Sequence, residues 1–398
     1  MASPSSPSAS TSIPALEPPA PRLEFLDGLR ALAALYVVLN HSSYEVWPLG
    51  LPTAPAWTHI LYYGHTAVEL FIVISGFSLM LPIVRGRGSL RGGAFNFFKK
   101  RARRIVPPYY FALIFSLMLI VTLVGRPTGT HWDISLPVTF RDVIYHILLL
   151  QDFLPQDLYK INHAFWSISL EWWIYFLFPA LVFAWKRFGV GITLVLSFAL
   201  TLALCTICVH KYGQTFTLQY IALFVMGMLG CEIVYTQNPA LQQIRDRLPW
   251  EPMTVLAAGV FALAVTGNIP HLTQLERSDV LAGFCAMCLL VLLSIRSKNL
   301  LRRILSRKPM MFLGSFAYSL YLIHAPLIQV IWQYMLHPLH LSPTPTFVLL
   351  AVLGAPMIIA ASYVFFLFCE RPFMGPPGKQ PPSTMSEAEV AAVINPAP

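Results

Sequence analysis

Long apolar stretches separated by short polar ones recur through most of the chain, most of them long enough for a helix to cross a hydrocarbon layer of ~30 Å. They predict spans at about 28–47, 61–82, 105–125, 163–185, 188–209, 215–236, 253–268, 279–295, 310–336 and 346–369. The apolar piece DVIYHILLLQDFL, at about 143–155, is too short to cross as a helix and reads as re-entrant or interfacial. The expected fold class is all-α, a polytopic membrane helical bundle of about ten transmembrane helices. One membrane domain, 23–372, is expected between a Ser/Pro-rich tail, 1–22, and a Pro-rich tail, 373–398, both disordered because they offer little apolar surface to bury. The first residues lack a basic start and an apolar core, so they do not read as a signal peptide.

Composition agrees with this pattern: 56% of residues are hydrophobic and 11% charged, which excludes a chain of soluble domains. The formal net charge of +9 then points to cytosolic loops under the positive-inside bias, not to nucleic acid. Between Arg85 and Arg104 lie eight basic residues, Arg85, Arg87, Arg91, Lys99, Lys100, Arg101, Arg103 and Arg104, and no acidic one. Placing this block in the cytosol puts the N-terminus there. If 143–155 does not cross, Lys186/Arg187, Arg245/Arg247 and the cluster RSKNLLRRILSRK fall on the same side, and both termini are cytosolic. The six cysteines sit in apolar runs without ligand partners nearby and read as packing residues, and no metal site is expected.

Ionisable groups inside spans are costly and mark function by default. In LDGLRALAALYVVLNH, Arg30 and His41 are eleven residues apart, close to three helical turns, so they leave one face roughly 16 Å apart. Counting the helical rise puts His41, Glu69 and Glu171 roughly 9–12 Å below the outer face, a His and two carboxylates at one level. A carboxylate beside an imidazole fixes its tautomer, as a general base acting on a hydroxyl requires, although each carboxylate can equally be locked to a local donor. His324 is mid-span and either joins this group or binds a carbonyl. At the inner mouth, Arg30 and the basic segment suit a polyanion such as a nucleotide phosphate; a basic loop also serves simply as an orientation signal and lipid anchor.

The stretches that carry these residues resemble, in order, the motifs of the acyltransferase family 3 membrane proteins. They are LDGLRALAALYVVLNH with its Arg-x10-His pattern, GHTAVELFIVISGF, FFKKRARRIVPPYY, HAFWSISLEWWIYFLFP and FLGSFAYSLYLIHAP, over roughly 23–372. The resemblance implies a membrane enzyme that takes an acyl group, usually acetyl, from acyl-coenzyme A on the cytosolic side and places it on a hydroxyl of a carbohydrate, glycolipid or secondary metabolite. Acyl-coenzyme A is then a co-substrate, with no cofactor held permanently. His41, Glu69 and Glu171 are the expected catalytic residues, and Arg30, Arg101, Arg104 and His324 the substrate-binding ones. Two other readings stand beside it. One is a proton-coupled transporter with the His/carboxylate group as relay and Arg30 as gate; the other is a subunit that carries acyl groups across the membrane for a separate transferase.

Overall fold

Peptide groups in an apolar layer must be satisfied within their own segment, and among the described residues every regular element is helical. The computed structural model describes residues 23–375 except 51, 87–89, 91, 213–216 and 268–274. The expected tail at 1–22, all but the first three residues of the expected tail at 373–398, and Arg87 and Arg91 of the basic block lie outside the described residues. In chain order the helices are α1 (Glu24–Val46), α2 (His65–Arg85), α3 (Gly93–Leu119), α4 (Phe140–Ile147), α5 (Trp166–Phe188), α6 (Val190–Tyr212), α7 (Tyr220–Tyr235) and α8 (Pro239–Arg247). They continue with α9 (Trp250–Val265), α10 (Leu275–Ile295), α11 (Leu300–Leu305), α12 (Lys308–Ser315), α13 (Ala317–Ile331), α14 (Pro343–Leu349) and α15 (Ala355–Phe365), and Glu24–Met374 packs as one unit.

Among the described residues six helices are long and apolar enough to cross a membrane, and eight if each of two bent pairs makes one span. The bends are 93° between α7 and α8 and 69° between α12 and α13. The ten expected stretches all fold as helices, but two miss the length-and-composition test: α9 has 16 residues, and α1 carries Glu24, Asp27, Arg30 and Glu45. The chain is a multi-pass membrane protein with six to eight spans by that test, not a demonstrated ten. The piece around 143–155 forms α4, eight residues and therefore about 12 Å long, followed by a 3-10 turn at Gln151–Phe153. Helix α4 starts on a capping box: the Asp142 amide donates to Thr139 Oγ1 at 3.3 Å, and the Thr139 amide donates to Asp142 Oδ2 at 2.6 Å.

Small residues let backbones meet where apolar side chains alone give helices little reason to pair. A Cβ on Gly76 would sit 2.0 Å from the Phe224 carbonyl oxygen, and one on Gly227 2.1 Å from that of Val73, so α2 and α7 lie against each other at the closest approach glycine permits. Helix α1 is seated in the same way. A Cβ on Gly28 would meet the Leu305 carbonyl oxygen at 2.1 Å, and one on Gly314 that of Asp27 at 2.0 Å. Ala31, Ala34, Val38, Phe316, Ala317 and Leu320 fill the seam between α1 and the α12–α13 pair. The segment between α3 and α5 is docked rather than loose. Buried Trp132 donates its indole N–H to the Val124 carbonyl at 3.0 Å and packs with Leu119, Leu136 and Ala325.

Gly76→Ala should therefore push α2 from α7 and lower the thermal midpoint of the detergent-solubilised protein, by the equivalent of about 1–3 kcal/mol for an overpacked contact. A midpoint equal to that of the unsubstituted protein would show that the two backbones are not in contact.

Candidate active site

Arg30 and His41 do occupy one face of α1, and different partners meet them at its two ends. His41 lies five residues from the last residue of the helix, where α13 and the docked segment converge on it. His41 Nδ1 is 2.8 Å from His324 Nε2, and His324 Nδ1 is 2.7 Å from the Tyr321 carbonyl oxygen. A carbonyl only accepts, so His324 carries its proton on Nδ1 and, as a neutral ring, accepts at Nε2. His41 must then donate from Nδ1. Its Nε2 is left with a free lone pair, the state in which an imidazole takes a proton.

Two further histidines complete the group, and neither was singled out from the sequence. The ring centroids of His163 and His131 lie 4.7 and 5.8 Å from that of His41. His131 stacks on Tyr44 at 5.0 Å, and burial lowers its pKa to about 4, so it is a neutral ring at physiological pH. Ser135 Oγ lies 3.1 Å from His163 Nδ1 and accepts the His163 amide N–H at 3.2 Å. Asn162 ties the segment down by donating to the Leu322 carbonyl at 3.0 Å. One nitrogen each from His41, His131 and His163 come within 4.8 Å of one another, a grouping that could hold a metal ion. Beyond this group lies a cavity of about 350 Å³ lined in part by Glu45, Thr130, Trp332 and His337. Glu45 is one turn from His41 on the same face of α1.

The other end of the site hangs on a stripe along α5 and the turn before it, His163, Ser167, Glu171 and Tyr175, spaced by four residues and so on one face. Ser167 Oγ donates to Tyr321 Oη at 2.7 Å, one turn from His163. A turn further on, Glu171 Oε1 accepts from Ser75 Oγ at 2.5 Å and from the Tyr175 hydroxyl. The Arg101 guanidinium lies 5.6 Å from the Tyr175 ring centroid and 5.9 Å from that of Phe97. Ser78, three residues after Ser75, accepts from Arg30 Nη2 at 3.0 Å, while Arg30 Nη1 donates to Asp27 at 3.1 Å. Arg104 is exposed and acts electrostatically on both Arg30 and Arg101. A line of polar side chains thus connects the arginines to the histidines through an apolar bundle.

The carboxylates expected at the level of His41 are engaged elsewhere. Glu171 is eight residues along the stripe from His163, roughly 12 Å further in than the histidine group. Glu69 is 1% exposed and faces His65, whose Nε2 is 3.7 Å away, and Asp279 of α10. Nine residues separate Glu69 from Ser78, two and a half turns, so Glu69 leaves α2 on the face opposite Arg30. The structure brings His324 to His41, Arg101 to Tyr175 beside Glu171, and Arg30 to Ser78, in place of a single His/carboxylate cluster.

The chain belongs to the acyltransferase 3 family, whose model, described as an acyltransferase domain, matches residues 23–367. It is 24% identical over 331 residues to O-acetyltransferase OatA of Staphylococcus aureus, covering 78% of this chain and 51% of that one. To acyltransferase MdmB of Streptomyces mycarofaciens it is 30% identical over 162 residues, 40% of this chain and 38% of that one. To the putative peptidoglycan O-acetyltransferase YrhL of Bacillus subtilis it is 24% identical over 332 residues, 76% and 48% of the two chains. The chain thus spans about half the length of OatA and YrhL. No solved structure matches it.

Proposed function

We propose that this chain is a membrane O-acyltransferase that moves an acetyl or other short acyl group from acyl-coenzyme A to a hydroxyl of a carbohydrate, glycolipid or secondary metabolite. The observation that carries the reading is the order of hydrogen bonds from the Tyr321 carbonyl through His324 to His41, which leaves a basic nitrogen at His41 Nε2. In the step this allows, the acceptor O–H gives its proton to His41 Nε2 as the oxygen attacks the thioester carbonyl. The C–S bond then breaks, and the departing thiolate takes the proton back from His41, giving an ester and free coenzyme A thiol. His324 positions the base by accepting from Nδ1. The cavity beside Glu45 is the proposed approach of the acceptor.

Arg30, Arg101 and Arg104 are the proposed contacts for the donor phosphates, since guanidinium forks match phosphate oxygens and Arg104 stands close enough to act on both of the others. Arg30 and His41 are about 16 Å apart along α1, so the donor's arm runs beside the polar line while its phosphates stay with the arginines. Glu171, with Tyr175, holds Arg101 in this reading. Glu69 has no part in the step. The names of the curated relatives support a hydroxyl acceptor and an acetyl group in particular.

The test is release of coenzyme A thiol by the purified full chain, supplied with acetyl-coenzyme A and a panel of hydroxyl acceptors. His41→Ala should lower kcat by about 10²–10⁴-fold. His324→Gln, which can still accept from Nδ1, should retain more activity than His324→Ala. A folded His41→Ala protein with normal turnover removes His41 as base, and a chain that consumes no acyl-coenzyme A with any acceptor returns the transporter reading.

For the donor contacts, Arg30→Lys and Arg101→Lys should each raise the KM for acetyl-coenzyme A by about tenfold, because a point charge does not replace a planar fork. Unchanged KM in both would take the donor away from this end. The proposed sidedness, with both termini cytosolic, is checked by single cysteines in a background without reactive native thiols. One at Ser297 should label only from the cytosol and one at Ser342 only from the opposite side; labelling of both from one side would refute it.

A further inference from the structure

Away from the histidine group, a second set of buried polar atoms gathers near the starts of α2 and α10. His65 and Glu69 are one turn apart on α2, and Asp279 is the fifth residue of α10. One ligand atom from each of the three falls within 4.8 Å of the others, with His65 Nε2 3.7 Å from Glu69 Oε1. Glu69 is 1% exposed and Asp279 0%. Both Glu69 oxygens, Asp279 Oδ1 and His65 Nε2 are buried without a hydrogen-bond partner. The other Asp279 oxygen, Oδ2, accepts from Gln219 Nε2 at 3.0 Å, an amide from the residue just before α7, and Gln219 Oε1 is itself buried and unpartnered.

This set is rich in carboxylate oxygens and poor in donors. Two carboxylates in an apolar bundle are expensive unless something positive joins them, and buried charges are held by pairing or by metals. Imidazole nitrogen with carboxylate and carboxamide oxygens is a donor set for a first-row divalent ion. With bonds of ~2.0–2.2 Å, ligand atoms around such an ion sit about 3.0–4.2 Å apart. The 3.7 Å pair already fits, and the other separations, all within 4.8 Å, need closure of at most about 0.6 Å to enter that range.

We propose that His65, Glu69 and Asp279 bind one divalent first-row cation, Mn²⁺ or Zn²⁺, with Gln219 positioning Asp279 through its amide. A charge of 2+ neutralises the two carboxylates, so the filled site carries no net charge into the bundle. The ion clasps α2 to α10 and, through Gln219, to the start of α7, at the end of the seam that Gly76 and Gly227 close. Its role is structural, and it is separate from the three-histidine grouping at His41.

The test uses the full chain purified in detergent without chelator, on an affinity tag free of histidine. Elemental analysis should find about one equivalent of manganese or zinc per chain. After stripping with EDTA, adding Mn²⁺ or Zn²⁺ back should raise the thermal midpoint in a concentration-dependent way. Asp279→Asn and Glu69→Gln should each weaken binding by more than about 100-fold and abolish that rise, while His131→Ala leaves it intact. The proposal is overturned if the stripped, unsubstituted chain binds neither ion, a measurement that needs no variant to fold and that would leave a proton shared by the two carboxylates. It is equally overturned if binding survives Asp279→Asn but is lost in His131→Ala, which would put the ion at His41.

Discussion

A polar side chain inside a bundle of apolar helices has only other side chains and spare carbonyls to bond to, and that constraint organises this protein. Each buried polar group must be delivered to a partner by the packing of whole helices. The four-residue stripe on α5 does this for Ser75, Tyr321 and the histidine group, and the three-residue step from Ser75 to Ser78 on α2 passes the line on to Arg30. The glycine contacts matter for the same reason. Gly28 sets α1 against the end of α11 and Gly314 sets α12 against α1, on the same helix that carries His41 to the His324 ring of α13.

The spans were legible because apolar length is a one-dimensional property. Charge placed the basic block, and the pairing of Arg30 with His41 on one face followed from their spacing alone. What the rise per residue could not supply was azimuth. Glu69 and His41 were matched for depth, yet Glu69 leaves α2 towards α10 while Ser75 and Ser78 of the same helix face α5 and α1. Depth was misjudged for Glu171, because the turn carrying His163 precedes α5 and already lies beside His41. His131 lies between the expected spans and His163 at the very start of the one expected at 163–185, positions where an ionisable group does not stand out as one deep inside a span does. The signal was nevertheless present: His163, Ser167, Glu171 and Tyr175 repeat at four residues, a stripe visible without any coordinates.

The two titratable clusters differ in a way that separates their roles. Around His41 the neighbours are histidine rings with local ties such as the Tyr321 carbonyl and Ser135, and a cavity is lined by Glu45, one turn from His41, and by Thr130, the neighbour of His131. Around Glu69 the acceptors outnumber the donors, with both Glu69 oxygens and Asp279 Oδ1 unpartnered and the Gln219 amide given to Asp279 Oδ2, and the group is enclosed by three helices, one pair of which is in backbone contact. The first arrangement leaves room for something to arrive and react. The second favours something that stays.

On the proposed reading, the absence of a carboxylate among the partners of His41 shapes the chemistry. An aspartate behind a catalytic histidine stabilises the imidazolium that forms when the base takes a proton. His324 offers only a neutral nitrogen lone pair, itself polarised by a single bond to the Tyr321 carbonyl, and His131 and His163 add no negative charge. A full imidazolium would be poorly tolerated there, because a buried cation without a counter-charge has nothing to replace its lost hydration. The proton taken from the acceptor hydroxyl is therefore passed on as the thiolate departs, without a long-lived charged base between the two transfers. A thiolate leaving group suits this base, since it departs without needing a strong acid and collects the proton afterwards. The weakly supported histidine is thus matched to a thioester donor, and a poorer leaving group such as an alkoxide would require the carboxylate that this site lacks.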